Sequence, residues 1–195
     1  MPVTIVRHST GIAGLDLALD GGFPPGTRII IFGDPLSGLE LLAEQFWKAG
    51  DPIGTYLMLD TAPKEGMIDA QGMDRATLAR AMQGDRIIVD SLSTLILEWG
   101  IGAAARFVLE DTRETIERGA NIVYLLYTDL HSSIEEARMM RAADIFITLR
   151  RQIRGNEIER TLAIEKFKEA NVPQQVIPYH IIVDGLELST TRRVI

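Results

Sequence analysis

The sequence predicts an α/β fold with a mostly parallel central sheet and an antiparallel extension at its C-terminal end. The first observation behind this prediction is that short apolar runs alternate with amphipathic stretches as far as residue 149, as expected of strand–helix–strand units. The second is that strand-like segments follow one another beyond that point with no helix between them. Helices should therefore cover both faces of the parallel part of the sheet.

The parallel part begins with Thr27–Phe32, a β-branched run before Gly33 that suits a strand covered on both faces. Among the helical patterns, Gly102–Arg118 is the clearest, because its apolar residues share one face and Gly119 follows it. Further strands are predicted over Thr55–Leu59, Arg86–Val89, Asn121–Tyr127 and Ile145–Leu149, and further helices over Gly38–Ala49 and Asp74–Met82.

The C-terminal extension is predicted to contain the strands Glu157–Lys168, His180–Asp184 and Leu186–Ser189. Residues 150–195 hold 8 basic and 6 acidic residues, a balance that we interpret as solvated strand faces. No linker, repeat or low-complexity tract divides the chain, and 195 residues is an ordinary length for one domain. We therefore expect a single domain over residues 1–195.

The composition excludes several classes of protein. A hydrophobic content of 46% is too high for a disordered chain, and the absence of cysteine excludes disulfide scaffolds, cysteine nucleophiles and thiolate metal sites. The three histidines are scattered, so no metal site is predicted. A net charge of −7 disfavours nucleic acid as a partner. Because no apolar stretch is long enough for membrane insertion and the start lacks a signal-peptide pattern, we expect a cytoplasmic protein.

The segment with the most chemical information follows the first predicted strand. It has the spacing of a phosphate-binding Walker A loop, Gly-x-x-x-x-Gly-Lys-[Ser/Thr], and it opens a predicted helix as that motif requires. Leu39 occupies the lysine position and Glu40 the position of the hydroxyl that ligates Mg²⁺. The loop consists of Gly33, Asp34, Pro35, Leu36, Ser37, Gly38, Leu39 and Glu40.

Several other segments share a family pattern with this loop. Upstream, Thr10–Asp16 reads Thr-Gly-Ile-Ala-Gly-Leu-Asp and Gly21–Gly26 reads Gly-Gly-Phe-Pro-Pro-Gly. Downstream, Arg86–Ser93 has the form of a Walker B strand with a trailing serine, and Glu159–Lys168 that of a C-terminal hairpin. Taken in order, these segments resemble the KaiC/RecA-like P-loop ATPases from about Ser9 to the end of the chain.

The resemblance implies a RecA-like three-layer sandwich with any nucleotide held on the loop Gly33–Glu40. It also implies assembly into rings, in which Lys166 and Lys168 would reach the phosphates bound by a neighbouring subunit. The family usually has Lys-x-Arg at this place, so Lys168 is a mild departure.

Other departures affect the catalytic positions of that family. Asp60 and Thr61 stand where KaiC-like relatives have a Glu-Glu pair, which includes the base that activates the attacking water. Asp90 matches the Walker B acid. Glu40 lies at a helix N-terminus, where its carboxylate can fill the position of a phosphate. We therefore interpret Asp60 and Asp90 as vestigial and expect no catalytic residue here.

Our first hypothesis is an inactivated ATPase homologue that acts as a non-hydrolysing regulatory or scaffolding protein, with signal transduction as the setting suggested by analogy of fold. It would bind no cofactor and would form a homo-oligomer, or a hetero-oligomer with a related ATPase or a signalling protein. The second hypothesis is an atypical ATPase that uses ATP or ADP with Mg²⁺. In that case Glu40 would ligate the metal, and Lys64, Lys166 or Lys168 would replace the missing lysine.

The third hypothesis is a recombinase-like DNA-binding accessory. The RecA relatives grip DNA with loops after their third and fourth strands, which would be Ser91–Gly102 and Thr128–Arg138 in this sequence. These segments contain more acidic than basic residues, whereas contact with DNA phosphates requires the opposite. We place this hypothesis last.

Overall fold

The computed structural model describes residues 6–51, 54–168, 172 and 176–189, whose strands form a nine-stranded sheet. The strands are β1 (Arg28–Gly33), β2 (Thr55–Met58), β3 (Ile68–Asp69), β4 (Arg86–Asp90), β5 (Asn121–Tyr127), β6 (Ile145–Arg154), β7 (Glu157–Phe167), β8 (Val176–Ile182) and β9 (Gly185–Leu188). They lie in the order β3-β2-β4-β5-β1-β6-β7-β8-β9. Pairs from β3 to β6 are parallel and those from β6 to β9 are antiparallel, so the predicted fold class is confirmed.

Helices pack on both faces of the sheet, which gives the three-layer arrangement. They are α1 (Ala13–Ala18), α2 (Leu39–Lys48), α3 (Arg75–Ala81), α4 (Leu92–Trp99), α5 (Ile101–Arg106), α6 (Arg113–Glu117) and α7 (Ser133–Ala142). Side chains alternate along β1, so that Ile29 and Ile31 join the core beneath α1 and α2 while Ile30 joins the core beneath the other helices. No helix in the described ranges has both the length and the apolar character needed to cross a membrane.

The helix predicted over Gly102–Arg118 is in fact interrupted. A π-helical turn, Phe107–Asp111, separates α5 from α6. The carbonyl of Val108 accepts hydrogen bonds from Thr112 Oγ1 at 2.8 Å and from Arg28 Nε at 2.7 Å. These side-chain donors occupy a carbonyl that a regular helix would use, and the backbone widens to a bond from Thr112 N to Phe107 O.

Two segments predicted as loops contain helices, and that prediction is wrong. Ser91–Gly102 contains α4, and Thr128–Arg138 contains the first part of α7. The side chain of Ser91 caps α4, while Ser132 and Glu135 form a reciprocal capping box at the start of α7. The two segments that the third hypothesis assigned to DNA are therefore largely ordered helix.

Candidate phosphate-loop site

The loop between β1 and α2 keeps the backbone frame that its two glycines predict. Gly38 has a φ of +90°, in the left-handed region, and α2 begins at the next residue. A Cβ atom on Gly33 would lie 2.7 Å from both the carbonyl oxygen of Leu149 and Ser37 Oγ. The left-handed conformation explains the glycine at position 38, and the lack of space for a side chain explains the one at position 33, whether or not a ligand binds.

The polar groups of the loop bond largely to the loop itself. The amide of Leu36 donates to Asp34 Oδ1 at 2.7 Å, and the amide and hydroxyl of Ser37 donate to the Asp34 carbonyl at 3.0 and 2.7 Å. Tyr179 on β8 adds an external restraint, because its buried hydroxyl donates to the Ser37 carbonyl at 2.6 Å. Two amides that a phosphate loop would offer to its ligand are therefore engaged in a turn.

The two substituted Walker A positions are integrated into the fold. Leu39 is completely buried in the core between α2 and the sheet. Glu40 is half-buried and accepts a hydrogen bond from Tyr127 Oη, on β5, at 3.0 Å. Burial is the main cause that raises the pKa of Tyr127 above its usual value, with the charges of Asp90 and Glu40 adding to the effect. Tyr127 is therefore a neutral donor to a carboxylate.

Asp90, the residue matching the Walker B acid, lies at the end of β4 and is 3% exposed. Tyr56 Oη donates to its carboxylate at 2.7 Å. The pKa of Asp90 is raised to about 6, mainly by burial; the Tyr56 hydrogen bond opposes the rise, and the charges of Asp60 and Glu40 add to it. The folded protein thus holds a proton on Asp90 more tightly than an unfolded chain does.

Asp60, the residue at the position of the expected base, is exposed and bonded to the start of α4. Ser91 Oγ donates to its Oδ2 at 2.8 Å, and the hydroxyl of Thr94 donates to its other oxygen. The structure brings Glu40, Asp60 and Asp90 to one edge of the sheet, where the charges of Asp60 and Glu40 act on Asp90. Each carboxylate there has a hydroxyl partner that the sequence analysis missed. The partners of Glu40 and Asp90 are tyrosines, which look like core residues in buried strands.

The residues present do not fit a Mg²⁺–nucleotide complex of the usual kind. The lysine position is an apolar core residue, the hydroxyl position is a carboxylate bonded to Tyr127, and loop amides are already engaged. Across the part of the chain that the structure describes, no group of three or more His, Asp or Glu side chains is arranged to hold a metal ion.

The lysines considered as replacements bond elsewhere in the fold. Lys166 Nζ donates to the carbonyls of Met140 and Arg141 at 3.1 and 3.0 Å and also to that of Ala143, at the end of α7. Burial lowers the pKa of Lys166. Lys168 Nζ lies 3.3 Å from Asp144 Oδ1, and Lys64 forms an ion pair with Glu44. A role for Lys166 or Lys168 across a subunit interface stays a prediction.

Comparisons with known proteins agree with this architecture. Residues 64–194 match a protein-family model described as a family of unknown function (DUF7125). The UPF0273 protein MK0039 of Methanopyrus kandleri is 27% identical over 122 residues, which are 59% of this chain and 46% of that relative, so the chain spans about half the relative's length. The crystal structure of the KaiC-like protein PH0186 from Pyrococcus horikoshii OT3 matches with a TM-score of 0.78 at 18% identity, covering 95% of this chain and 99% of that one. The predicted KaiC/RecA-like fold is confirmed.

Proposed function

The chain belongs to the family of unknown function DUF7125, and from this premise we propose that it is a KaiC-like protein that does not hydrolyse ATP and acts as a regulatory or scaffolding component. The observation that carries the proposal is the complete burial of Leu39. A side chain at the lysine position of a working Walker A loop must reach the phosphates of the ligand. Here it is part of the hydrophobic core instead.

Electrostatics supports the same proposal. At an effective dielectric constant of about 20, a unit charge about 4 Å away contributes roughly 4 kcal/mol. Replacing a lysine by Leu39 and a hydroxyl by Glu40 removes one positive charge and adds one negative charge beside the phosphate position. One such charge change corresponds to a loss of about three decades in nucleotide affinity, so the two changes together should cost at least that much.

The hydrogen bonds around the loop favour a fixed conformation over a nucleotide-driven switch. Tyr179 restrains Ser37, Tyr127 restrains Glu40, and Asp60 is bonded to the start of α4. A protein with such a loop would act through surfaces that it always presents. Our proposal therefore includes assembly with further copies of itself, a related ATPase or a signalling protein in the cytoplasm.

The proposal is tested by thermal unfolding with excess ATP in the presence and absence of Mg²⁺. A ligand at about 100 times its Kd stabilises a protein by about 2.7 kcal/mol, which corresponds to a rise in Tm of roughly 5–10 °C for a chain of this size. We expect Mg²⁺ to add nothing to any shift that ATP produces in the wild-type protein. A Mg²⁺-dependent rise of this size would contradict the proposal and favour the atypical ATPase.

The Leu39→Lys, Glu40→Thr double variant is the matched comparison, because it supplies both Walker A residues. Its own melting temperature without ligand is the baseline, since loss of the buried Leu39 should lower its stability. Glu40→Thr alone separates the removal of the carboxylate from the gain of a lysine. A Mg²⁺-dependent shift in the double variant but not in the wild type is the result that we expect.

A further inference from the structure

Two arginines face each other on the antiparallel strands beside the loop. Arg151 on β6 pairs with Arg160 on β7 in the register, so their side chains leave the same face of the sheet. On that face, the preceding pair, Leu149 and Leu162, is buried in the core. The arginine pair therefore lies where the core ends and the exposed part of the β6–β7 hairpin begins.

One nitrogen of each guanidinium in this pair lacks a hydrogen-bond partner within the described residues. The Nε atoms of Arg151 and Arg160 are both buried, and neither has a partner within the described residues. The nearest carboxylate oxygen to Arg151 is Asp34 Oδ1, 3.7 Å from Nε and beyond hydrogen-bond distance. Buried donors without acceptors are costly, and like charges directly opposite each other destabilise a strand pair. An anion between the two groups would relieve both costs.

The other two arginines of the hairpin differ from this pair in exposure. Arg154 Nε lies 3.1 Å from Glu159, and Arg150 lies 3.5 Å from Glu165. These two cations are largely exposed and pair with acidic residues of the hairpin, whereas Arg151 and Arg160 are half-buried and Asp34 approaches only Arg151.

The arginine pair lies beside the loop between β1 and α2. Asp34 belongs to the loop and approaches Arg151. On the other side, Tyr179 follows Pro178, which pairs with Thr161, so Tyr179 lies beside Arg160. Burial raises the pKa of Tyr179 to about 12, and the charge of Arg160 opposes that rise, as expected of neighbours. An anion held by the arginines would thus lie next to the rim of the turn.

We propose that Arg151 and Arg160 form a site for a phosphate group of a small molecule, bound without Mg²⁺. Two planar guanidinium forks match the oxygens of a phosphate, and its two negative charges balance two arginines. The carboxylate of Asp34 adds one negative charge beside the two arginines, so the site keeps a net positive charge. The inference goes beyond the proposed function, because it requires neither the Walker A chemistry nor hydrolysis.

The experiment is a calorimetric titration with pyrophosphate in EDTA at constant ionic strength. We expect Arg151→Gln and Arg160→Gln each to weaken binding by about tenfold or more, since each removes charge-assisted hydrogen bonds. Arg150→Gln and Arg154→Gln are the matched controls from the same hairpin and should change affinity less than about twofold. Arg160→Lys keeps the charge without the fork and should fall between the wild type and Arg160→Gln.

A second readout separates binding from structure. Without ligand, Arg160→Gln should melt at or above the wild-type temperature, because the substitution removes a like-charge pair. A lower melting temperature with unchanged pyrophosphate affinity would assign the arginines a structural role and overturn the proposal. So would the absence of binding at millimolar pyrophosphate, or equal losses in all four glutamine variants. If ATP bound in a Mg²⁺-dependent way while metal-free pyrophosphate binding still required Arg160, the proposed function would be contradicted and this inference would stand.

Discussion

The parallel and antiparallel parts of the sheet differ in how they treat their polar side chains. Where the parallel strands end, Glu40, Asp60 and Asp90 each accept hydrogen bonds from hydroxyl groups. On the antiparallel hairpin, Arg151 and Arg160 have buried Nε atoms without acceptors among the described residues. The comparison teaches that the carboxylates at the ends of the parallel strands are satisfied by hydrogen bonds within the fold, whereas the arginine pair of the hairpin keeps donors without acceptors in the described part of the chain.

Of the substitutions that test this comparison, substitution of Leu39 should change the free energy of unfolding most. Leu39→Ala should lower the free energy of unfolding by about 2–5 kcal/mol, because it leaves a cavity in the core. Leu36→Ala is the control from the same loop, since Leu36 is 63% exposed and its loss should cost less than about 0.5 kcal/mol. Urea unfolding measures both. Equal small effects would mean that the lysine position is not part of the scaffold.

The contribution of Asp90 to stability depends on pH, which gives a second test of the comparison between the two parts of the sheet. Since its pKa is 3.8 in the reference state and about 6 in the folded protein, its stabilising contribution is full below pH 4. That contribution is lost as the pH rises from about 4 to 6, by up to about 3 kcal/mol.

Asp90→Asn removes this titration and is the appropriate reference. Urea unfolding of both proteins between pH 4 and 7 should show the wild type losing stability relative to the variant as the pH rises. A constant difference across this range would contradict a buried, protonated Asp90.

The hydroxyl partners of the carboxylates provide the next test. Tyr127→Phe removes the hydrogen bond to Glu40 and should destabilise the protein by about 1.5–2 kcal/mol. Tyr124→Phe makes the same change on the same strand, but the Tyr124 hydroxyl has no hydrogen-bond partner within the described residues, so stability should hardly change. Denaturation midpoints that move equally in both variants would argue against a specific role for Tyr127.

The smallest expected effect separates a structural lysine of the antiparallel part from an exposed one. Lys166→Met should cost about 1 kcal/mol, because its ammonium bonds to carbonyls at the end of α7. Lys168→Met should be nearly silent, since that side chain is 66% exposed. Thermal melts of the two variants check this order. The reverse order would remove the capping role from Lys166.

The sequence predicted the fold well where apolar runs were continuous. β5 has the predicted bounds, whereas β6 extends five residues beyond Leu149, because exposed polar residues there continue the pairing with β7. The helices α4 and α7 were missed although Ser132 and Glu135 have the spacing of a capping box. The serine caps at the starts of both helices are the local signal that predicts them.

The site was predictable in outline only. The loop, Asp60 and Asp90 could be placed because each follows a predicted strand in the pattern of a strand–loop–helix unit. Their partners Tyr56, Tyr127 and Tyr179 come from distant strands, and a buried tyrosine has the same apolar pattern as any core residue. The arginine pair arises from the register of the β6–β7 hairpin, and the number of charged residues in 150–195 does not predict that register.

The central claim, that the Walker positions no longer perform catalysis, is tested most directly by phosphate release from Mg²⁺-ATP. The assay should compare the wild-type protein with Glu40→Ala and Asp90→Asn over a range of protein concentrations, so that assembled oligomers are included. The account predicts no release above the protein-free rate in any of the three. Steady release by the wild type that either substitution abolishes would contradict it.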